Sequence, residues 1–428
     1  MPPSSPAASA AACSRSCAGA ETADAIDPRR ELLLGLWQTG LARVNGRSCV
    51  ADALRAAPLA GPVWLAAVGK AATAMALGAH DALGTAIERT LIITRDEQGL
   101  PELSRQCLAP EVWFGAHPVP DERSLTAGRR LLSWVQELPQ GVQPLFLVSG
   151  GASSLVEVPQ EGTTLRALED LTTHALACGM PIGELNAQRT ALSRIKGGRL
   201  ASHLKGRPAR ALFISDVPHD DTSVIGSGLM GPAASGADRV TREVVASVDQ
   251  ACAAIAAHAM RLGLSVHSPP ARFAGDALRL AARFAHELSM ASVQLCVWGG
   301  ESTVQLPVNP GRGGRNQHLA LAAARLIAGH GELLLLIAGT DGTDGNTEDA
   351  GALVDADSCA RLALAQLDAD RCLQQADAAR ALAASGDLLH TGVTGTNVGD
   401  LVIGLKLSPA AARALLAQHH GGSGVRML

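Results

Sequence analysis

Residues 63–75 read VWLAAVGKAATAM. Six apolar residues, 63–68, stop at Gly69, and an Ala-rich helical stretch opens at once with Lys70. The apolar run does not alternate with polar residues. The strand it predicts is therefore buried on both faces, as in a parallel sheet covered by helices. The same pattern recurs at 144–155, PLFLVSGGASSL, where a strand at 145–148 runs into Ser149, Gly150 and Gly151. Further strands are expected at 90–94, 112–114 and 212–215, and helices at 71–83, 125–137 and 165–177. Strand–helix alternation of this kind specifies an α/β fold with a parallel sheet.

The second half reads differently. Residues 241–262 predict one long Ala-rich helix, followed by a short strand at 264–266, a helix at 276–290 and a strand at 293–298. A strand at 302–308 follows after only Gly299, Gly300 and Glu301, which predicts a hairpin and so a mixed sheet. Strands at 333–338 and 401–407 complete it. The expected organisation is two α/β domains, 28–245 and 246–428, behind an Ala/Ser-rich tail at 1–27. The tail reads as disordered. A transit peptide is Arg-rich and acid-poor, whereas here Arg15 stands against Glu21, Asp24 and Asp27.

Composition narrows the function. A chain of 428 residues, 47% hydrophobic and 18% charged, can bury a large core without staples. A net charge of −4, 2% aromatic residues and no Tyr give neither a basic footprint nor a stacking platform for nucleic acid. No apolar run reaches the roughly 18 residues of a membrane span. The nine Cys include no CxxC pair, which reads as thiols in a reducing, cytoplasmic setting.

Five strands end in polar, Gly-rich loops: GKAATAM after Val68, SGGASSL after Val148, DVPHDD after Ser215, GGESTV after Trp298 and GTDGTDGNTEDAGA after Ala338. Ligands of parallel sheets bind beyond the carboxyl ends of strands, so loops carrying Lys70, Ser149, Asp216, Glu301 and Asp341 imply one shared site. Its chemistry favours an anion. Gly150 and Gly151 let backbone N–H groups point inward, and Ser149, Ser153 and Ser154 add hydroxyls. Lys70 can reach the same pocket or stand solvated at a helix start. Arg315, in GRGGRNQ, can grip a carboxylate or phosphate in bidentate fashion, and Gly313 and Gly314 leave room for the bound group. Asp220, Asp221, Asp341, Asp344, Glu348 and Asp349 could serve Mg²⁺ held by a nucleotide, or simply cap helices and turns. His117 is the one His of 13 inside a dense motif, with a structural or a catalytic role.

Two phosphate motifs fail. GK at 69–70 is no P-loop, since Trp64 stands where Gly is required and Ala71 replaces Ser/Thr. GSGLMG at 226–231 matches GxGxxG but runs into Pro232 and not from strand to helix.

AVGKAATAM (67–75), GAHPVPDERSL (115–125), SGGASSL (149–155), LN at 185–186 with Arg189 and LSRIKGGRLA (192–201), SDVPHDD (215–221), GGESTV (299–304), GRGGRNQ (311–317), GTDGTDG (339–345) and TGTNVGDL (394–401) occur in order. This set resembles the glycerate 2-kinase family across residues 28–407. The resemblance implies an N-terminal Rossmann-like domain, a C-terminal MOFRL domain, and ATP- and Mg²⁺-dependent phosphorylation of D-glycerate to 2-phosphoglycerate by a cytoplasmic monomer or homodimer. It further implies that Lys70 and Lys196 answer phosphate charge, and that Ser149, Gly150, Gly151 and Ser153 form the phosphate loop. Arg315 and Asn316 would then hold the glycerate carboxylate or the transferring phosphoryl group. Asp216 would orient the 2-hydroxyl or contact Mg²⁺ indirectly, with Asp341 as its rival. The chain departs from the family pattern at Thr190 and Ala191, at His219 for Gly, Leu229 for Pro, His318 for Glu and Val393 for Pro. Some relatives carry the label hydroxypyruvate reductase, which the missing dinucleotide fingerprint disfavours. A non-catalytic sugar-phosphate or nucleotide binder is the other alternative.

Overall fold

The computed structural model describes residues 27–97, 99–106, 109–178, 180, 182–233 and 238–420. The expected tail, apart from Asp27, lies outside them. The first sheet holds β1 (Val63–Val68), β2 (Ile87–Thr94), β3 (Glu111–Phe114), β4 (Gln143–Val148), β5 (Ala209–Ile214) and β6 (Val240–Ala246). Its order is β3-β2-β1-β4-β5-β6, with every neighbouring pair parallel. Strand order reverses between β1 and β4, the switch point at which such sheets open a crevice. Val68 and Val148 are register partners there. Gly69–Lys70 and Ser149–Gly151 therefore leave the sheet side by side.

The second sheet holds β7 (Val266–His267), β8 (Phe273–Asp276), β9 (Leu295–Thr303), β10 (Leu333–Gly339), β11 (Gly351–Asp355), β12 (Leu388–Leu389) and β13 (Asp400–Lys406). It runs β12-β11-β10-β13-β9-β7, with β8 also on β9. β7 and β8 lie parallel to β9 and the remaining pairs are antiparallel, so the sheet is mixed.

Two expectations need correction. No hairpin forms at Gly299–Gly300, because both continue the single strand β9. A side chain at Gly299 would strike Val248 and Cys252, and one at Gly300 would strike the Phe273 backbone. These glycines mark close packing and not a turn. Residues 240–246 form strand β6, and the helix begins only at Val248. VTREVVA is β-branched and alternates in burial, as suits an edge strand, and the Ala-rich run starts after it. The helix Pro28–Arg43 packs against the helices Val248–Arg261 and Pro409–His420 beside the second sheet. Arg30 anchors it to Asp355 at 2.6 Å and Asp387 at 3.1 Å.

A continuous apolar core links the two sheets, from Leu65 and Leu147 through Val50, Ile255 and Val297 to Leu336 and Ile403. Among the described residues no helix is long and apolar enough to cross a membrane.

Candidate functional site

The site begins where β1 and β4 end. Gly69 has φ +131°, and a side chain there would run into Ser149. Only glycine lets the two loops touch. The Lys70 N–H donates to the Gly150 carbonyl (2.9 Å), the Ser149 N–H to the Val68 carbonyl (3.0 Å) and the Ala71 N–H to Ser149 Oγ (3.1 Å). Gly151, at φ +84°, fits between Lys70 Cγ and the His117 ring, which would lie 3.1 and 3.2 Å from an added Cβ.

Two contacts bring the second sheet onto this loop pair. Lys70 Nζ meets Asp341 Oδ2 at 2.7 Å, on the segment after β10. Asn397, just before β13, donates through Nδ2 to Asp216 Oδ2 at 3.1 Å, just beyond β5. Burial, reinforced by the nearby Glu301 carboxylate, pushes Asp216 up to about 7, while Lys70 and Arg315 pull the other way. Asp341 is buried too, yet the Lys70 ammonium holds it below the usual carboxylate range. His117 drops to about 3, first through burial and then through the cations Lys70, Arg95 and Arg189. Burial and the neighbouring cations thus hold the His117 ring, beside Gly151, in its neutral form at physiological pH.

Arg315 opens the helix Arg315–Leu326. Its Nε lies 2.8 Å from Asp400 Oδ2 and its Nη2 donates to Asp400 Oδ1 at 3.1 Å, while Nη1 pairs with Glu301. Asn316 Nδ2 donates to Asp400 Oδ1 at 3.0 Å. Asp344 accepts the backbone N–H groups of Asn316 (3.2 Å) and Gln317 (2.8 Å), so it caps this helix. Gly314 leaves the space Asp344 fills, and Gly313, at φ +143°, donates its N–H to Asn346 Oδ1 at 2.9 Å. Both glycines shape the turn from within.

Lys70, Ser149, Gly150, Gly151, Asp216, Glu301, Arg315 and Asp341 are thus brought together. Lys196 is not: it is almost fully buried, and its ammonium is spent on the buried Glu157 carboxylate. To answer phosphate charge, as expected, its ammonium would have to leave that carboxylate. Ser153 Oγ lies 2.6 Å from Ser227 Oγ and accepts from Arg189 Nη1 at 3.3 Å. Asp220 pairs with Arg272 at 2.8 Å, and Asp221 accepts the Ser223 N–H at 2.8 Å, so both shape their loop. His219 sits at φ +60°, the conformation for which Gly is suited. Thr190 packs its methyl group against Gly197. The GSGLMG segment braces the 197–198 turn, with the Gly197 and Gly198 N–H groups donating to Ser227 and Gly228 carbonyls at 2.9 and 2.8 Å. It opens no helix onto a ligand.

Among the described residues no three or more His, Cys, Asp or Glu converge as a metal cage. Asp216 and Asp341 suit a cation that arrives already held by phosphate oxygens. Sequence reasoning overlooked Asn397, Asp400, Arg95 and Arg189 as members of the site. Asn397 and Asp400 stood in the quoted TGTNVGDL motif, but nothing in its spacing says which side chains reach the other sheet.

Comparison with known proteins agrees with this architecture. The model of the domain of unknown function DUF4147 matches residues 32–260, and that of the MOFRL family matches 294–400. A D-glycerate 2-kinase of Thermotoga maritima is 35% identical over 384 residues, spanning 80% of this chain and 90% of its own. A glycerate 2-kinase of Pyrococcus horikoshii is 32% identical, spanning 81% and 88%. A putative hydroxypyruvate reductase of Agrobacterium vitis is 34% identical, spanning 78% and 96%. The crystal structure of a glycerate kinase from Thermotoga maritima superposes with a TM-score of 0.76 at 32% identity, covering 89% of this chain and 99% of that one. With both family domains in order and a cleft assembled from their facing loops, this chain belongs to the glycerate 2-kinase family.

Proposed function

We propose that the protein transfers the γ-phosphoryl group of Mg²⁺-bound ATP to the 2-hydroxyl of D-glycerate, releasing ADP and 2-phosphoglycerate. The observation that carries this reading is the convergence of Lys70, Asp216 and Arg315 from two sheets on the SGG loop at the switch point. Phosphoryl transfer asks a protein chiefly for positioning and charge neutralisation. The loop at 149–151 would cradle phosphate oxygens, and Lys70 would exchange Asp341 for them. Asp216, ionised near neutrality, would take the hydroxyl proton as the glycerate oxygen bonds to phosphorus and the bond to the β-phosphate oxygen breaks. The Glu301 side of Arg315 is half-exposed, so an incoming anion competes there, while Asp400 keeps the guanidinium oriented.

The relative named a putative hydroxypyruvate reductase makes a second reading worth testing, although GSGLMG lacks the strand-to-helix setting of a dinucleotide site. Incubation with ATP, Mg²⁺ and D-glycerate, with the phosphoglycerate isomer identified by NMR, tests the proposal. A parallel assay follows NADH oxidation by hydroxypyruvate. 2-Phosphoglycerate without NADH oxidation is expected. NADH oxidation without phosphoglycerate would overturn the kinase reading.

A further inference from the structure

Arg189 lies in the last turn of the helix Ile182–Ala191 and is partly buried. Its one side-chain hydrogen bond among the described residues runs from Nη1 to Ser153 Oγ, at 3.3 Å. No described carboxylate lies within ion-pair distance of it. Glu157 feels its charge, but that carboxylate belongs to Lys196. Three other arginines held within the fold are answered by acids: Arg242 by Asp238, Arg272 by Asp220 and Asp249, and Arg315 by Asp400 and Glu301. A desolvated guanidinium without a counter-charge is costly, and fixed protein charge of this kind calls for an anion.

Its surroundings say where that anion sits. Ser153 belongs to the same SGGASS loop whose Gly151 meets Lys70 and His117. His117, beside Gly151, is depressed first by burial and then by Lys70, Arg95 and Arg189, in keeping with the placement that the Ser153 contact gives Arg189. The helix end that carries Arg189 is tied down. Arg199 Nη1 donates to the Ser193 carbonyl at 2.7 Å and to that of Thr190. The guanidinium is therefore held at the loop and not swept through solvent.

Resting on the proposed function, two anionic groups must be placed: the nucleotide phosphates and the acceptor's carboxylate. Lys70, a compact charge above the loop, suits the phosphates. Arg315 holds Asp400 through two nitrogens and offers an anion only its Glu301 side, which suits a single phosphate oxygen. We propose that Arg189, steadied by Ser153, recognises the carboxylate of the three-carbon acceptor and so selects a 2-hydroxy acid over an uncharged polyol. A planar carboxylate matches the guanidinium fork, and an ammonium cannot reproduce that contact.

The test is calorimetric titration of the full chain with D-glycerate, with and without Mg²⁺–ADP, and separately with Mg²⁺–ATP. Wild type, Arg189→Gln and Arg189→Lys are compared, each with a thermal melt. Both variants are expected to bind D-glycerate at least about tenfold more weakly, the scale of a lost charge-assisted pair. Their affinity for Mg²⁺–ATP should stay within about twofold, and glycerol binding should be equally weak in all three. Unchanged D-glycerate affinity overturns the inference. So does a loss confined to Mg²⁺–ATP, which assigns Arg189 to phosphate, and so does unfolding of both variants, which makes it a structural cation. If the wild type binds Mg²⁺–ATP but no D-glycerate in any arm, the proposed function itself falls and the inference with it.

Discussion

Gly150 occupies the gap between Asp216 and Asn397, whose 3.1 Å hydrogen bond joins the end of β5 to the loop before β13. A Cβ there would overlap both Asp216 Oδ2 and Asn397 Nδ2. Gly150→Ala should push the two sheets apart at the cleft. Overpacking of this sort costs roughly 1–3 kcal/mol, and activity should fall further than stability if Asp216 takes the proposed catalytic part, because the clash falls on its carboxylate. A denaturant melt alongside kcat/KM measures both. An active, undisturbed variant would show that the cleft does not close on Gly150.

Lys70→Ala removes the ammonium that bridges the sheets through Asp341. Loss of a charge-assisted contact to the transferring phosphoryl group should cost on the order of 2–4 kcal/mol in the transition state. The variant should remain folded, with a lowered melting temperature, since Asp341 is left buried and unpaired. Single-turnover kinetics read the effect, and wild-type turnover would remove Lys70 from the chemistry.

Asp216 should set the acid limb of the pH–rate profile. With its carboxyl raised to about 7, activity should climb as pH rises through that value, because only the ionised form accepts the hydroxyl proton. Asp216→Asn should abolish most turnover. The stability effect has the opposite sign. The folded state keeps a proton that the unfolded chain releases from about 4 upward, so this group lowers stability as pH rises from about 4 to about 7. His117, depressed to about 3, acts in the other direction over an overlapping range. The difference in melting temperature between Asp216→Asn and wild type isolates the Asp216 contribution, and it should grow in favour of the variant toward pH 8.

Lys196 and Glu157 form a buried pair whose side chains are 3% and 1% exposed. Lys196→Met strands the Glu157 carboxylate and should destabilise by roughly 3–5 kcal/mol. The double variant Lys196→Met, Glu157→Gln should recover much of that. Substrate constants of the folded double variant should stay near wild type. A selective rise in KM for ATP in that variant would return Lys196 to the phosphate site.

Strand–helix alternation was legible because parallel strands are apolar on both faces. β1 and β4 could each be read from an unbroken apolar run, ending at Gly69 and Ser149, and so could β10, antiparallel but buried along its whole length. β6 was hidden, since an edge strand is half-polar and here abuts an Ala-rich helix. The glycines at 299–300 carried an ambiguous signal. Missing side chains serve a turn or a close approach equally, and only the presence of Val248, Cys252 and Phe273 decides for the second.

The sequence by itself pointed to one site from the Gly-rich segments carrying Lys70, Ser149, Asp216, Glu301 and Asp341, because parallel strands present their carboxyl ends on one side; that reason holds for the first three, while Glu301 and Asp341 come from the mixed sheet. It also determined the family, through motifs in order. Only the tertiary structure decided which charges are available to a ligand. Lys196 and Arg189 stand seven residues apart in the chain and look alike as cations. One faces Glu157 in the buried interior, and the other finds, among the described residues, only a serine hydroxyl. Whether a charge is neutralised depends on what the fold places within a few ångströms of it, and those neighbours come from distant parts of the chain.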